Sequence, residues 1–95
     1  MNILEQQKQL ARAKRGEITA EFLKQYETYA DQDLILLLTD PNSQVRAAAA
    51  QLLGKRRSMP ALPNLCIQFS REKALYAKIA LSNALSSIGP PARSC

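Results

Sequence analysis

The fifteen residues from Asp40 to Gly54, reading DPNSQVRAAAAQLLG, constrain this chain more than any other stretch. Pro41 has no backbone N–H and its ring disfavours a helix running through Asp40, so one helix must end there. Asn42 or Ser43 can cap the next one by accepting a hydrogen bond from a free N–H of its first turn. Val45, Ala48, Ala49, Leu52 and Leu53 then fall at helical spacing. The alanines between them let a second backbone approach closely. Gly54 offers a permissive helix end, and Lys55, Arg56 and Arg57 would meet the negative end of the helix dipole. A turn, a narrow small-residue face and a stop, in that order, predict one half of a packed helical hairpin.

The rest of the chain is divided by Gly16, Pro60, Pro63, Gly89 and Pro90-Pro91, and no stretch alternates as a strand would. A helix over about 2–15 carries a thin stripe of Ile3, Gln7, Leu10 and Lys14. Thr19 is placed to cap a helix whose face gathers Phe22, Leu23, Tyr26, Tyr29 and Ala30, rings expected to anchor the front of the core. A short helix over 32–38 presents Leu34, Ile35, Leu37 and Leu38. Pro60 and Pro63 open another, bearing Leu62, Leu65, Cys66 and Phe69. A last helix carries Leu75, Ala77, Ala80, Leu81, Ala84, Leu85 and Ile88.

Displacing the chain by 32 residues lays Leu34 on Cys66, Ile35 on Ile67, Leu37 on Phe69, Arg46 on Lys78 and Leu53 on Leu85. Two copies of a helical pair are therefore expected, at 31–58 and 59–89. Residues 1–30 read as a divergent third pair capping the stack, and 90–95 as a tail or the start of a further copy, since Pro91-Ala92 echoes Pro60-Ala61.

Asp40-Pro41-Asn42, Val45-Arg46, Ala49 and Leu53-Gly54, followed by Pro60-Ala61-Leu62-Pro63-Asn64-Leu65, resemble HEAT repeats, in particular the bacterial HEAT-like type found in phycobilin lyase subunits. The second copy departs from the pattern in lacking the Asp-Pro turn and the valine. The resemblance implies an all-α fold, an α-solenoid of about three stacked antiparallel helical hairpins, whose members act as adaptors, scaffolds or assembly factors. Asp40, Pro41, Val45, Arg46 and Gly54 take structural roles under it, with Arg46 and, one copy later, Lys78 forming a ladder with the turn aspartate Asp40. Assembly of a phycobilin lyase follows only as an analogy of motif.

Composition narrows the chemistry. With 95 residues the chain forms one domain, and apolar residues reach 46% largely through alanine. There is no histidine, so Ser-His and Cys-His nucleophile arrangements cannot be built. No Gly-rich phosphate loop or metal-ligand spacing is present. The carboxylate pairs Glu17 with Glu21 and Glu27 with Asp31 lie in charged settings that would not separate their pKa values. A non-enzyme without cofactor or metal is expected. Cys66, aligned with Leu34, reads as a small buried hydrophobe and Cys95 as an exposed terminal thiol; two cysteines make no disulfide framework. Neither a secretion signal nor a membrane span is read in the sequence, so a cytoplasmic location is expected.

Two binding surfaces are expected from different classes. A protein partner would meet the exposed positions of the inner helices, over about 43–55 and 71–88, at Gln44, Ala47, Gln51, Lys55, Tyr76 and Asn83. Alternatively, because 13 Lys and Arg face 8 Asp and Glu, nucleic acid would follow a basic stripe of Lys55, Arg56, Arg57, Arg71, Lys73 and Lys78. No aromatic residue interleaves with these bases to stack on nucleotides. The C-terminal helix could also pair with another copy.

Overall fold

The computed structural model describes residues 3–89. The expected tail over 90–95, including Cys95, lies outside the described residues. Six α-helices follow one another: α1 (Ile3–Lys14), α2 (Ala20–Lys24), α3 (Asp31–Leu37), α4 (Ser43–Lys55), α5 (Leu62–Arg71) and α6 (Leu75–Ile88), with a 3-10 turn at Met59–Ala61 before α5. Among the described residues there is no strand. None of these helices is long and apolar enough to cross a membrane.

The caps form largely where the side chains dictate. Thr19 accepts from the Phe22 N–H at 3.1 Å, and Asn42 Oδ1 accepts from the Gln44 N–H at 2.8 Å. Asp40 Oδ2 accepts from the Asn42 N–H at 2.9 Å, which closes the turn ahead of α4. Pro60 and Pro63 are the second residues of the 3-10 turn and of α5, in the first turn, where a missing N–H costs nothing.

Gly54 corrects its expected role as a helix end. It lies inside α4, and a Cβ built on it would stand 2.6 Å from the Ala84 Cα and 2.8 Å from the Ala84 Cβ. This is the point where α4 and α6 touch. The chain turns instead at Arg57, whose φ of 51° is left-handed. The Arg57 N–H returns to the Gly54 carbonyl and the Ser58 N–H to the Leu53 carbonyl, both at 3.0 Å, which is the Schellman termination built on an arginine.

The core is one cluster around Leu34, Leu38, Leu53, Leu65 and Leu81, each at most 1% exposed, with Ala49, Ala50, Ala61 and Ala84 between them. Alanine on α4 is what allows so close an approach. Helix α4 packs chiefly on α6, α3 on α4 and α5 on α6. The helix limits repeat at 32 residues: α4 begins at Ser43 and α6 at Leu75. Of the residues expected at the front of the core, Leu23 and Tyr26 pack against it, whereas Tyr29 is 39% exposed. The inner helix expected from 71 begins only at Leu75.

Helix α1 buries no residue at all, with Ile3 73% and Leu10 64% exposed. The carbonyls at its end and just beyond do the anchoring. Arg15 O accepts from the Tyr76 N–H at 2.7 Å and the Ala77 N–H at 3.2 Å, and Lys14 O accepts from the Ser43 hydroxyl at 2.8 Å. The starts of α4 and α6 therefore lie side by side, and with Gly54 on Ala84 near their ends the two helices run parallel. Gly16 permits the junction, since its φ is +95° and a Cβ there would stand 3.0 Å from the Ala77 nitrogen and 3.1 Å from the Ser43 oxygen.

Candidate functional site

Two features stand out from the scaffold: a buried ion pair between the two helix pairs and a groove along the free side of α4 and α6.

Arg46, on the first turn of α4, reaches across to Glu72 in the link between α5 and α6. Nε and the Glu72 Oε1 are 2.7 Å apart, and Nη2 and Oε2 are 2.9 Å apart, a bidentate pair. The remaining nitrogen, Nη1, donates to the carbonyls of Asp40 and Pro41 at 2.8 and 3.1 Å. The expected ladder between Arg46 and the Asp40 carboxylate is thus corrected. The Asp40 side chain is engaged with the Asn42 N–H, and the carboxylate that Arg46 holds belongs to the next pair. Glu72 stands 32 residues after Asp40, and its Oε2 accepts from the Ala74 N–H at 3.1 Å in the same i to i+2 relation. Gln68 adds a fourth hydrogen bond, to Oε1, at 3.1 Å. The Glu72 side chain is only 1% exposed. Burial pushes its carboxyl pKa up, but the bonds from Arg46, Gln68 and Ala74 outweigh burial and hold it below the usual carboxylate range. The same pairing raises the pKa of Arg46. Lys78, the later copy's counterpart of Arg46, makes no such pair and lies 4.7 Å over the Phe69 ring.

The groove has a volume of about 530 Å³. Ala47, Gln51, Gly54 and Lys55 contribute from α4; Tyr76, Ile79, Ala80, Asn83, Ala84 and Ser87 contribute from α6; Glu17, Ile18 and Leu23 close one side. Five of the six residues expected at a protein contact, Ala47, Gln51, Lys55, Tyr76 and Asn83, line it together. Ala47 corrects its expected exposure, for it is 2% exposed and forms the floor. Gln44, the sixth, lies outside the groove: its Nε2 donates to the Glu17 carbonyl at 2.9 Å and ties the loop after α1 to α4.

The lining follows the 32-residue period. Gln51 on α4 corresponds to Asn83 on α6, Ala47 to Ile79 and Lys55 to Ser87. Gln51 and Asn83 are both exposed and their side chains make no hydrogen bond among the described residues, so two carboxamides face the groove at equivalent heights. Ile79, Ser87 and Glu72 are the residues that sequence reasoning missed. Each lies 32 positions after a residue already singled out.

The six residues expected to form a basic stripe do not come together. Lys55, Arg56 and Arg57 lie at the C-terminal end of α4, while Arg71, Lys73 and Lys78 lie around the start of α6. Since α4 and α6 run parallel and α4 has 13 residues, about 20 Å of helix separates the clusters. Arg56 is also committed elsewhere, donating to Asp31 Oδ1 at 2.8 Å and to the carbonyls of Tyr29 and Glu27 at 2.7 and 2.8 Å. The Ser58 hydroxyl gives Asp31 a second bond at 2.7 Å. Arg56 and then Ser58 hold the Asp31 carboxyl below its ordinary pKa.

Asp31 is thereby tied to Arg56, and Glu17 faces Arg12 at 3.7 Å. Cys66 is half-buried, which corrects its reading as a buried hydrophobe. No group of three or more His, Cys, Asp or Glu side chains among the described residues is placed to hold a metal ion. The chain matches no protein-family model, and neither a curated protein nor a solved structure matches it significantly.

Proposed function

We propose that this chain is a non-catalytic helical-repeat module of the HEAT-like kind, in which α3–α4 and α5–α6 are successive units of an α-solenoid, residues 3–30 cap one end, and the groove on α4 and α6 holds a short extended segment of a partner protein. The observation that carries this reading is the free carboxamide pair. Gln51 and Asn83 each offer a donor and an acceptor, as a peptide group does, from equivalent positions on adjacent helices. The apolar floor of Ala47, Ala80 and Ala84, with Ile79 at the edge, supplies burial between them. Lys55 near one end and Glu17 near the other favour a segment carrying an acidic side chain toward Lys55.

The nucleic-acid reading has less to support it. The groove contains one lysine and one glutamate, and the basic residues outside it are divided between two ends. Assembly of a chromophore lyase keeps no support beyond the likeness of motif.

The test is a display library of random peptides selected on the intact chain and counter-selected on Gln51→Ala/Asn83→Ala. A consensus segment with an acidic position, whose affinity falls about tenfold or more in the double variant and is unchanged in Lys73→Gln, supports the proposal. Selected peptides that bind both forms equally would refute it. Titration with random duplex DNA at two salt concentrations addresses the alternative, for which affinity would fall steeply with salt.

A further inference from the structure

The two ends of the helix stack differ. The side of α4 facing away from α6 is covered by the N-terminal residues, with Leu23 and Tyr26 against the core, whereas the side of α6 facing away from α4 carries no helix among the described residues. On that side lie Leu75, Ile79, Ser82 and Ser86, spaced four, three and four residues apart along one stripe. Leu75 is 50% and Ile79 46% exposed, and the neighbouring Ile67 of α5 is 50% exposed.

The stripe has a counterpart. Thirty-two residues earlier stand Ser43, Ala47, Ala50 and Gly54, the face of α4 that packs on α6, where Ala47 is 2% and Ala50 0% exposed. The α6 stripe therefore repeats a helix-packing surface on which no helix lies among the described residues.

The sizes along it are also self-complementary. Leu75 and Ser86 are equally distant from the midpoint between residues 80 and 81, and so are Ile79 and Ser82. An antiparallel copy of α6 laid on this face would set each large side chain on a serine; a parallel one would set leucine on leucine. The charges agree with the antiparallel arrangement. Helix α6 has no basic residue in its last turn and no acidic one in its first. The reversed copy brings Lys73 and Lys78 toward the partner's C-terminal carbonyls, where a cation is favoured.

We propose that this face takes a second copy of the chain, forming a two-fold symmetric dimer through antiparallel α6 helices with Leu75 on Ser86 and Ile79 on Ser82 of the partner. The face shares Ile79 with the edge of the groove but includes neither Gln51 nor Asn83, so the two readings are tested separately. The contact is small against the roughly 1,600 Å² of a standard interface, so the dimer is a weak one that forms reversibly.

Sedimentation velocity over about 10 µM to 1 mM protein tests it, with far-UV circular dichroism confirming the fold of each variant. Leu75→Ser weakens association about tenfold or more by leaving Ser86 uncovered, and Ser86→Leu alone weakens it by overpacking. The double variant Leu75→Ser/Ser86→Leu restores it, because the large-on-small pairing is regenerated with the roles exchanged. Ser82→Arg abolishes the dimer, and Gln51→Ala in the groove leaves it unchanged. A wild-type chain that stays monomeric throughout overturns the proposal and leaves the face as a solvated end. A dimer strengthened by Ser86→Leu alone overturns the antiparallel register.

Discussion

Replacing Arg46 with methionine keeps the length and much of the apolar stem of the side chain but leaves the Glu72 carboxylate without its cation. Of the four hydrogen bonds to that carboxylate, two come from Arg46; only those from Gln68 and the Ala74 N–H would remain. With the Glu72 side chain 1% exposed, water offers little in exchange. Breaking a buried pair by removing one partner costs about 3–5 kcal/mol. The Asp40 and Pro41 carbonyls also lose a donor, which places R46M toward the upper part of that range. For a domain of this size that is a large share of the total stability.

The sign of the pH dependence is the sharper check. In the wild type, the folded pKa of Glu72 lies below that of a free glutamate, about 4.3. The unfolded chain therefore binds more protons between the two values. The contribution of Glu72 is present above about pH 4.3 and is lost as pH falls through the folded value. In R46M burial acts with little opposition and raises the folded pKa above the unfolded one. Its stability then increases as pH falls toward the unfolded value of about 4.3. Urea denaturation followed by circular dichroism between about pH 4 and 7 reads both effects. A loss below about 1 kcal/mol at pH 7, or parallel pH slopes for wild type and R46M, would refute the reasoning. Arg46→Met/Glu72→Gln should be more stable than R46M, since the stranded charge is gone.

Three further outcomes follow from backbone geometry. Gly54→Ala gains about 1 kcal/mol of helix propensity but must push the Ala84 backbone away, so a net loss of about 1–2 kcal/mol is expected by urea denaturation; Ala84→Gly relieves this only in part, because the Ala84 Cα is itself 2.6 Å from the added carbon. Arg57→Gly removes a left-handed φ of 51° from a residue with a Cβ, and should stabilise by about 1 kcal/mol, a rise in Tm of about 4–8 °C; a fall in Tm would contradict it. Gly16→Ala meets both a φ of +95° and close backbone atoms, and should cost about 2 kcal/mol or more, with faster amide exchange at Tyr76 and Ala77 as its local signature.

Much of the helix pattern was readable because local chemistry settles it. Thr19 and Asn42 cap the helices their positions indicate, and the 32-residue displacement matches the starts of α4 and α6. What escaped reading depends on contacts distant in sequence. A glycine one residue before a run of cations looks like a helix end, yet Gly54 is there because Ala84 lies against it. An arginine beside an aspartate suggests a local pair, yet Glu72 wins because its carboxylate arrives from the following helix pair with two other donors already in place. The groove residues were legible as positions on inner helices, but Ala47 could not be told apart as floor, because that depends on the angle at which α6 crosses. The basic residues looked contiguous in number and are separated by the parallel run of α4 and α6.

The meeting of three helix ends at Arg15 has a mechanical consequence. A helix with no side chain in the core would ordinarily swivel on its linker, but α1 is pinned by the Lys14 oxygen at Ser43 and by the next main-chain oxygen, that of Arg15, at Tyr76 and Ala77. Its 12 residues thus form a lever about 18 Å long, fixed at the butt. A torque applied at Ile3 or Leu10 is delivered to the roots of both inner helices at once, and so to the two walls of the cleft between them.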